Sequence, residues 1–409
     1  MNSRGHAARR AVRVTAVLCG LAQSPAWAGP PSAALPARLS FISERHGQRD
    51  VYLIATDGRF EQRLTHSAAD ESNGPVTPDG RHILVTAEVS PPAGAGDKGF
   101  RFLLLPLSPG TRTQGGGLPL ARDPGTALLP TPRASLRQPQ FLADGRLVFE
   151  SEPQDPSAGL RELFVLSQPG AVSGRPALRA LTQNREGNFG PSLCARSDYV
   201  AFTSSRDRTS EVYRMRADGS DVRRLTYSQG SKWGTRCSAD GQRIFFVSDR
   251  EGADRIYSVL RNGSEPRRLT NRDLESTRIE DSPTPSPEGR KLAYVLRGAG
   301  LGARLRILDL RSGRDCELPT PPGSRSSDPD WSTPRDNTPP RLAFTLQPAD
   351  SAPAATPTGA PTAAPNSTPT AAPNSAPARR QIFLADADCR GITQLTHAPG
   401  PNWHPLWLN

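Results

Sequence analysis

The feature that most constrains this chain is self-similarity. Val200 to Thr226 reads VAFTSSRDRTSEVYRMRADGSDVRRLT, and Arg243 to Thr270 reads RIFFVSDREGADRIYSVLRNGSEPRRLT. An earlier copy, Arg38 to Thr65, reads RLSFISERHGQRDVYLIATDGRFEQRLT. Each unit holds an apolar run ending in Ser, a polar turn, a second run around Val-Tyr or Ile-Tyr, a Gly-bearing turn and a closing Arg-Leu-Thr. The Leu-Thr pairs ending at Thr182, Thr226 and Thr270 recur every 44 residues. A period of this size predicts a modular fold in which each unit buries its faces only against its neighbours.

A fourth element lies between the units. It is clearest as PVTPDGRHILV from Pro75, with weaker copies starting at Pro139, Pro191 and Pro283. Asp-Gly between two apolar runs predicts a tight hairpin, because that turn needs positive φ. Four short antiparallel strands in about 44–65 residues make a propeller blade. The 36 glycines and 42 prolines of the chain suit many short strands and turns. The sequence therefore predicts an all-β fold: a seven-bladed β-propeller of four-stranded antiparallel blades over 38–409. Its blades close near Thr65, Leu120, Thr182, Thr226, Thr270, Leu318 and Thr396. The first strand, Leu39 to Ser43, lacks an inner element before it. HPLWLN from His404 supplies one, so the C-terminal strand is expected to join the first blade and close the ring, removing open edges.

The order Pro-x-x-Ser-Pro-Asp-Gly, apolar-Ser, Ile-Tyr, Asp-Gly, Arg-Leu-Thr resembles the TolB-type β-propeller repeat, from about residue 38 to the end. The resemblance implies an exported protein that binds other proteins. The best-known member of the family works in a cell-envelope complex and docks a peptidoglycan-associated lipoprotein. That member carries an α/β domain ahead of its propeller. None is read here, because the first strand follows the leader by about ten residues.

The leader is residues 1–28. Arg9, Arg10 and Arg13 precede an apolar stretch from Val14 to Ala22, and Ala26-Trp27-Ala28 precedes Gly29. This is the three-part pattern of a secretion signal, too short to span a bilayer. Residues 29–37 then form a short linker. Export permits disulfides among Cys194, Cys237, Cys316 and Cys389, which allow three complete pairings. Cys194 and Cys237 fall on innermost strands of adjacent blades. Cys316 and Cys389 fall towards the outer strands of blades six and seven, so pairings 194–237 and 316–389 are conceivable. Residues 347–379, with TAAPNS repeated at 362–367 and 370–375, read as a disordered Pro/Ala/Thr-rich insertion in the seventh blade.

The chemistry of the chain points away from an enzyme. It holds no G-x-S-x-G elbow, Walker loop, HExxH or EF-hand pattern, and no catalytic residue is assigned. The basic residues behind the +11 charge are scattered, which argues against a nucleic-acid partner, and no later stretch is apolar enough for a membrane span. The informative positions precede the inner strands: Asn73, Asn188, Lys232-Trp233, Asp281, Asp328, Trp331 and Asn402-Trp403-His404. Read as loops, they ring one mouth of the channel. A polar ring interleaved with tryptophans suits capture of a partner by a monomeric chain, an envelope protein or lipoprotein in the periplasm or outside the cell. The same Asn and Asp side chains also suit capping of strand starts.

Two alternatives remain open at this point. Calcium or another small ligand could be held through Asp281 and Asp328; no other cofactor is implied. Alternatively His66, His397 and His404, near the seam of blades one and seven, could hold a metal for a lyase or hydrolase acting on acidic oligosaccharides, although no metal ligand is assigned by their spacing.

Overall fold

The structure is a computed structural model. It describes residues 37–90, 99–107, 126–153, 160–167, 177–184, 186–194, 198–270, 279–298, 302–334, 338–349 and 379–408. The leader, the linker up to residue 36 and residues 350–378 of the insertion lie outside the described residues.

Twenty-eight strands form seven four-stranded antiparallel sheets, and no helix occurs among the described residues. Each sheet is one blade. The innermost strands, in blade order, are Asn402–Leu408, Glu71–Val76, Arg137–Phe141, Asn188–Cys194, Lys232–Cys237, Ile279–Pro285 and Arg325–Trp331. The first blade takes its innermost strand from the C-terminus, with Leu408 opposite Arg38 and Asn402 opposite Ser43. The ring is thus closed by main-chain hydrogen bonds between the two ends of the propeller, as the sequence predicts. No described helix is long and apolar enough to cross a membrane.

The apolar alternation of the repeat has a direct result: the core is divided among the seams. Seven clusters of buried side chains form among the described residues, each shared by two neighbouring blades. Between blades four and five, for example, Val212, Leu225 and Ala201 meet Ile244, Phe246 and Val259. No blade buries both faces alone, so the ring is the smallest unit that satisfies them all. Within blades, aromatic residues face each other across the two middle strands. Phe41–Tyr52, Phe149–Phe164, Phe202–Tyr213, Phe246–Tyr257 and Phe344–Phe383 are such pairs, with ring centroids 5.5–5.9 Å apart. Cross-strand aromatic pairs of this kind stabilise sheets beyond area burial alone.

The recurring Thr of the closing segment has a physical reason. The hydroxyls of Thr65, Thr182, Thr226 and Thr396 each accept a hydrogen bond, at 2.9 Å, from the backbone N–H of the third strand. Those of Thr182, Thr226 and Thr396 also donate to Glu162, Glu211 and Gln381 at the start of that strand. A two-residue outer strand would fray alone, and this double bond fastens the residues that follow it.

One closing position needs correction. Leu120 lies outside the described residues, and the outer strand of blade two is Thr126–Ala127. The cross-blade disulfides 194–237 and 316–389 both form, with Cα separations of 5.0 and 6.1 Å. In blade seven, Arg341–Gln347 and Gln381–Asp386 pair directly, with Leu346 opposite Gln381, on either side of residues 350–378.

Candidate functional site

The prolines of the inner elements shape the channel wall. Proline has no N–H for the ladder, so a strand containing it must break register there. Six of the seven innermost strands hold such a proline, and the seventh, Lys232–Cys237, breaks register at Gly234 instead. The shifts fall between Asn73 and Val76, Arg137 and Gln140, Phe189 and Ser192, Trp233 and Arg236, Asp281 and Thr284, Ser327 and Asp330, and opposite Ser40–Ile42 in the C-terminal strand. Six bulges carry a residue of positive φ: Gln138, Gly190, Gly234, Ser282, Asp328 and His404, between 47° and 64°. The expected loops are therefore strand: the residues read as a mouth lie within the innermost strands, at and before a bulge.

Three classes follow from position along that strand. The first position is locked. Lys232 is fully buried and its Nζ donates to the carbonyls of Ser228 (2.5 Å), Gln229 and Gly230 and pairs with Glu211 at 3.2 Å. Burial lowers its pKa, opposed by Glu211. Asn188 donates to Glu162 and Asn184 and accepts from Arg206, while Asn402 donates to Gln381 and Gly400 and accepts from Arg45. These side chains hold blade to blade and have no capacity left for a ligand.

The second position is half-buried and less engaged. Trp233, Asp281 and Trp403 stand there, with Phe189 in blade four, while Asn73 holds the same place in blade two but is buried and bonded to His404. Arg380 lies 5.8 Å from the Trp403 ring and Arg161 4.9 Å from the Phe189 ring. Asp281 is paired with Arg297 at 2.6 Å and accepts from Ser282. Because all inner strands run the same way, these residues share one end of the channel.

The third class sits at and beyond the bulge. His404 Nδ1 lies 2.9 Å from Asn73 Oδ1, and the Asn73 amide donates to Ser40 and to the His404 carbonyl. Enclosure lowers the His404 pKa, with Asp328 opposing. Asp328 accepts from Ser327 at 2.9 Å. Two residues past their bulges, Arg236 and Asp330 enter the channel. Together with His404 and Asn73 they line a cavity of about 830 Å³. Asp330 accepts from the backbone N–H groups of Trp407, at 2.8 Å, and Trp331, yet enclosure pushes its pKa up to about 6.

Trp331 differs from the exposed anchor the sequence suggested. It is 3% exposed, packs in the cluster between blades six and seven, and donates its indole N–H to the Thr284 carbonyl. The proposed histidine set is also not assembled. His66 and His397 are exposed, and no three His, Cys, Asp or Glu side chains gather as metal ligands among the described residues. Asp281 is engaged by Arg297 and Asp328 by Ser327. Sequence reasoning missed Arg236, and it did not single out Phe189 or Asp330 within the inner elements Asn188-Phe-Gly-Pro and Asp328-Pro-Asp-Trp. Aligning the copies on the bulge residue would have exposed Arg236 and Asp330, since position +2 is otherwise Val76, Gln140, Ser192, Thr284 and Leu406.

The profile of the TolB beta propeller domain matches residues 136–335. Over these residues the chain is similar to the TolB-type β-propeller. No curated protein sequence matches it. Among solved structures, TolB from Acinetobacter baumannii is 17% identical with a TM-score of 0.48, over 91% of this chain and 66% of that one. A Mycobacterium tuberculosis puromycin-hydrolyzing peptidase is 16% identical with a TM-score of 0.54, over 76% of this chain and 49% of the peptidase. An oligogalacturonate lyase in complex with manganese is 14% identical with a TM-score of 0.50, over 69% and 73%. The chain thus spans just under two thirds of the first of these and about half of the second. At such identities the likeness is one of fold, and a peptidase and a lyase share it.

Proposed function

We propose that this exported propeller is a protein-interaction scaffold of the cell envelope, docking an envelope protein or lipoprotein at the channel end where its inner strands begin. The observation that carries this reading is the pair of half-buried tryptophans, Trp233 and Trp403, at the same strand position in blades five and one. Their neighbours at the first position are fully engaged, whereas the tryptophans leave ring surface accessible. Aromatic anchors of this kind dominate protein contacts, and Arg380 and Arg161 beside Trp403 and Phe189 add charge around them. Asp281 and Asp328 belong to the polar rim on this reading, and Trp331 to the support beneath it.

The test is affinity capture from envelope extract with the mature chain and with a Trp233→Ala/Trp403→Ala variant of unchanged melting temperature. A specific partner lost in the variant supports the reading. Capture of the same set by both chains refutes docking at this rim. Trp331→Ala is unsuitable as a control because the residue is part of the core.

A further inference from the structure

The channel cavity contains two opposite charges that do not pair with each other. Arg236, from the innermost strand of blade five, donates through Nη1 to the Thr235 carbonyl at 2.9 Å. No carboxylate of the described residues lies within ion-pair distance of it. Enclosure by protein lowers its pKa. Asp330, from blade seven, receives two backbone N–H groups and likewise meets no cation among the described residues. Both line the same cavity of about 830 Å³, a size typical of ligand sites. An enclosed charge without a counter-charge is costly, and two of opposite sign facing one space are a demand for a ligand bearing both complements.

A third group adds direction. The Asn73 amide nitrogen is fixed by its donations to Ser40 and the His404 carbonyl, so Asn73 Oδ1 must accept and His404 Nδ1 must donate. The neutral ring then keeps its Nε2 lone pair for the cavity that His404 lines. His404 and Asp330 sit on neighbouring innermost strands, joined through the Trp407 N–H bond to Asp330. The blade-seven and blade-one wall thus offers a carboxylate and an acceptor, and the blade-five wall a guanidinium. Arg137 also lines the cavity, but it is exposed.

We infer that the channel is a binding site for a small zwitterion of the α-amino acid or short-peptide class, its carboxylate on Arg236 and its ammonium on Asp330 and His404 Nε2. Guanidinium matches carboxylate in a planar, two-bond geometry, and an ammonium needs acceptors, which that opposite wall supplies. The site is distinct from the rim described above and does not depend on a protein docking there.

Isothermal titration of the full chain tests this with the α-amino acids and glycylglycine as probes. At least one zwitterion is expected to bind. Its N-acetyl and carboxamide derivatives, each lacking one charge, should bind about tenfold or more weakly. Arg236→Gln and Asp330→Asn should each weaken the zwitterion by a similar factor. The proposal is overturned if no probe binds the wild type, or if the singly charged derivatives bind as well as the parent. Because the derivative series uses the unaltered protein, instability of a variant cannot rescue or sink the result.

Discussion

Asn402 and His404 lie two residues apart in one strand and do different work. Asn402 is fully buried, and both ends of its amide are bonded to blades seven and one. His404 sits at the bulge, in positive φ, with one ring nitrogen committed and the other left for the channel. The same contrast separates Lys232 from Arg236. The first position bonds the seams through Lys232, Asn188 and Asn402, whereas the bulge and the residue two beyond it furnish the channel. Polar character alone does not distinguish them. What does is the bulge, set by proline in six strands and by Gly234 in blade five, which turns side chains that strict alternation would send into a seam.

The strongest way to break this division is at Lys232. Replacing it by Met removes one of the two cations on buried Glu211, leaving Arg224, and leaves the carbonyls of Ser228, Gln229 and Gly230 without their donor. The expected loss is about 3 kcal/mol, because a buried acceptor left without its donor costs about 1–3 kcal/mol. His404→Gln should cost far less, about 1 kcal/mol, the worth of one hydrogen bond. Denaturant unfolding of both variants decides the matter. Equal losses would erase the distinction between seam and channel positions.

The next largest effect concerns Asp330. Its folded pKa of about 6 lies above the ordinary 3.8, because protein encloses the carboxyl more than the Trp407 and Trp331 N–H bonds compensate. The sign follows from linkage. Its contribution to stability is fully present below pH 3.8 and is lost as pH rises through about 6. Holding the carboxyl at about 6 instead of 3.8 corresponds to about 3 kcal/mol, an upper figure. Asp330→Asn should remove this slope and leave the variant as stable as wild type, or more so, at pH 7. Melting curves between pH 4 and 7.5 check it; an unchanged slope in the variant would place the titrating group elsewhere.

The regular parts of the molecule were legible because they repeat. The Arg-Leu-Thr closings, the Asp-Gly turns and the orphan C-terminal HPLWLN encode the blades and the ring closure in residues whose roles recur in nearly every unit. Cys194 and Cys237 lie one register step apart on successive inner strands, so their disulfide could be read from the repeat as well. The second blade's closing was missed because Thr126–Ala127 lacks the Leu-Thr signal. The channel was illegible for the opposite reason. Arg236 and Asp330 are each unique to one copy, and a reading that looks for recurrence passes over what occurs once. Trp331 failed differently: from sequence a tryptophan beside Asp-Pro-Asp serves equally as rim or core, and only the packing of blades six and seven decides it.

The smallest effect on stability is expected at the second position, and there it carries the most functional weight. Trp403 is half-buried, its ring beside exposed Arg380 at 5.8 Å, and no described hydrogen bond depends on its indole. Trp403→Ala should therefore destabilise by about 1 kcal/mol, well below the 3–5 kcal/mol typical of a buried tryptophan. Trp331→Ala, in the cluster between blades six and seven, should show the full cost. If the rim reading holds, Trp403→Ala folds normally and loses its partner, while Trp331→Ala loses partner and fold together. Comparing melting temperature with capture for the two variants separates a surface used for recognition from one used for packing. A stable Trp403→Ala that still captures the partner would move the docking surface away from this end of the channel.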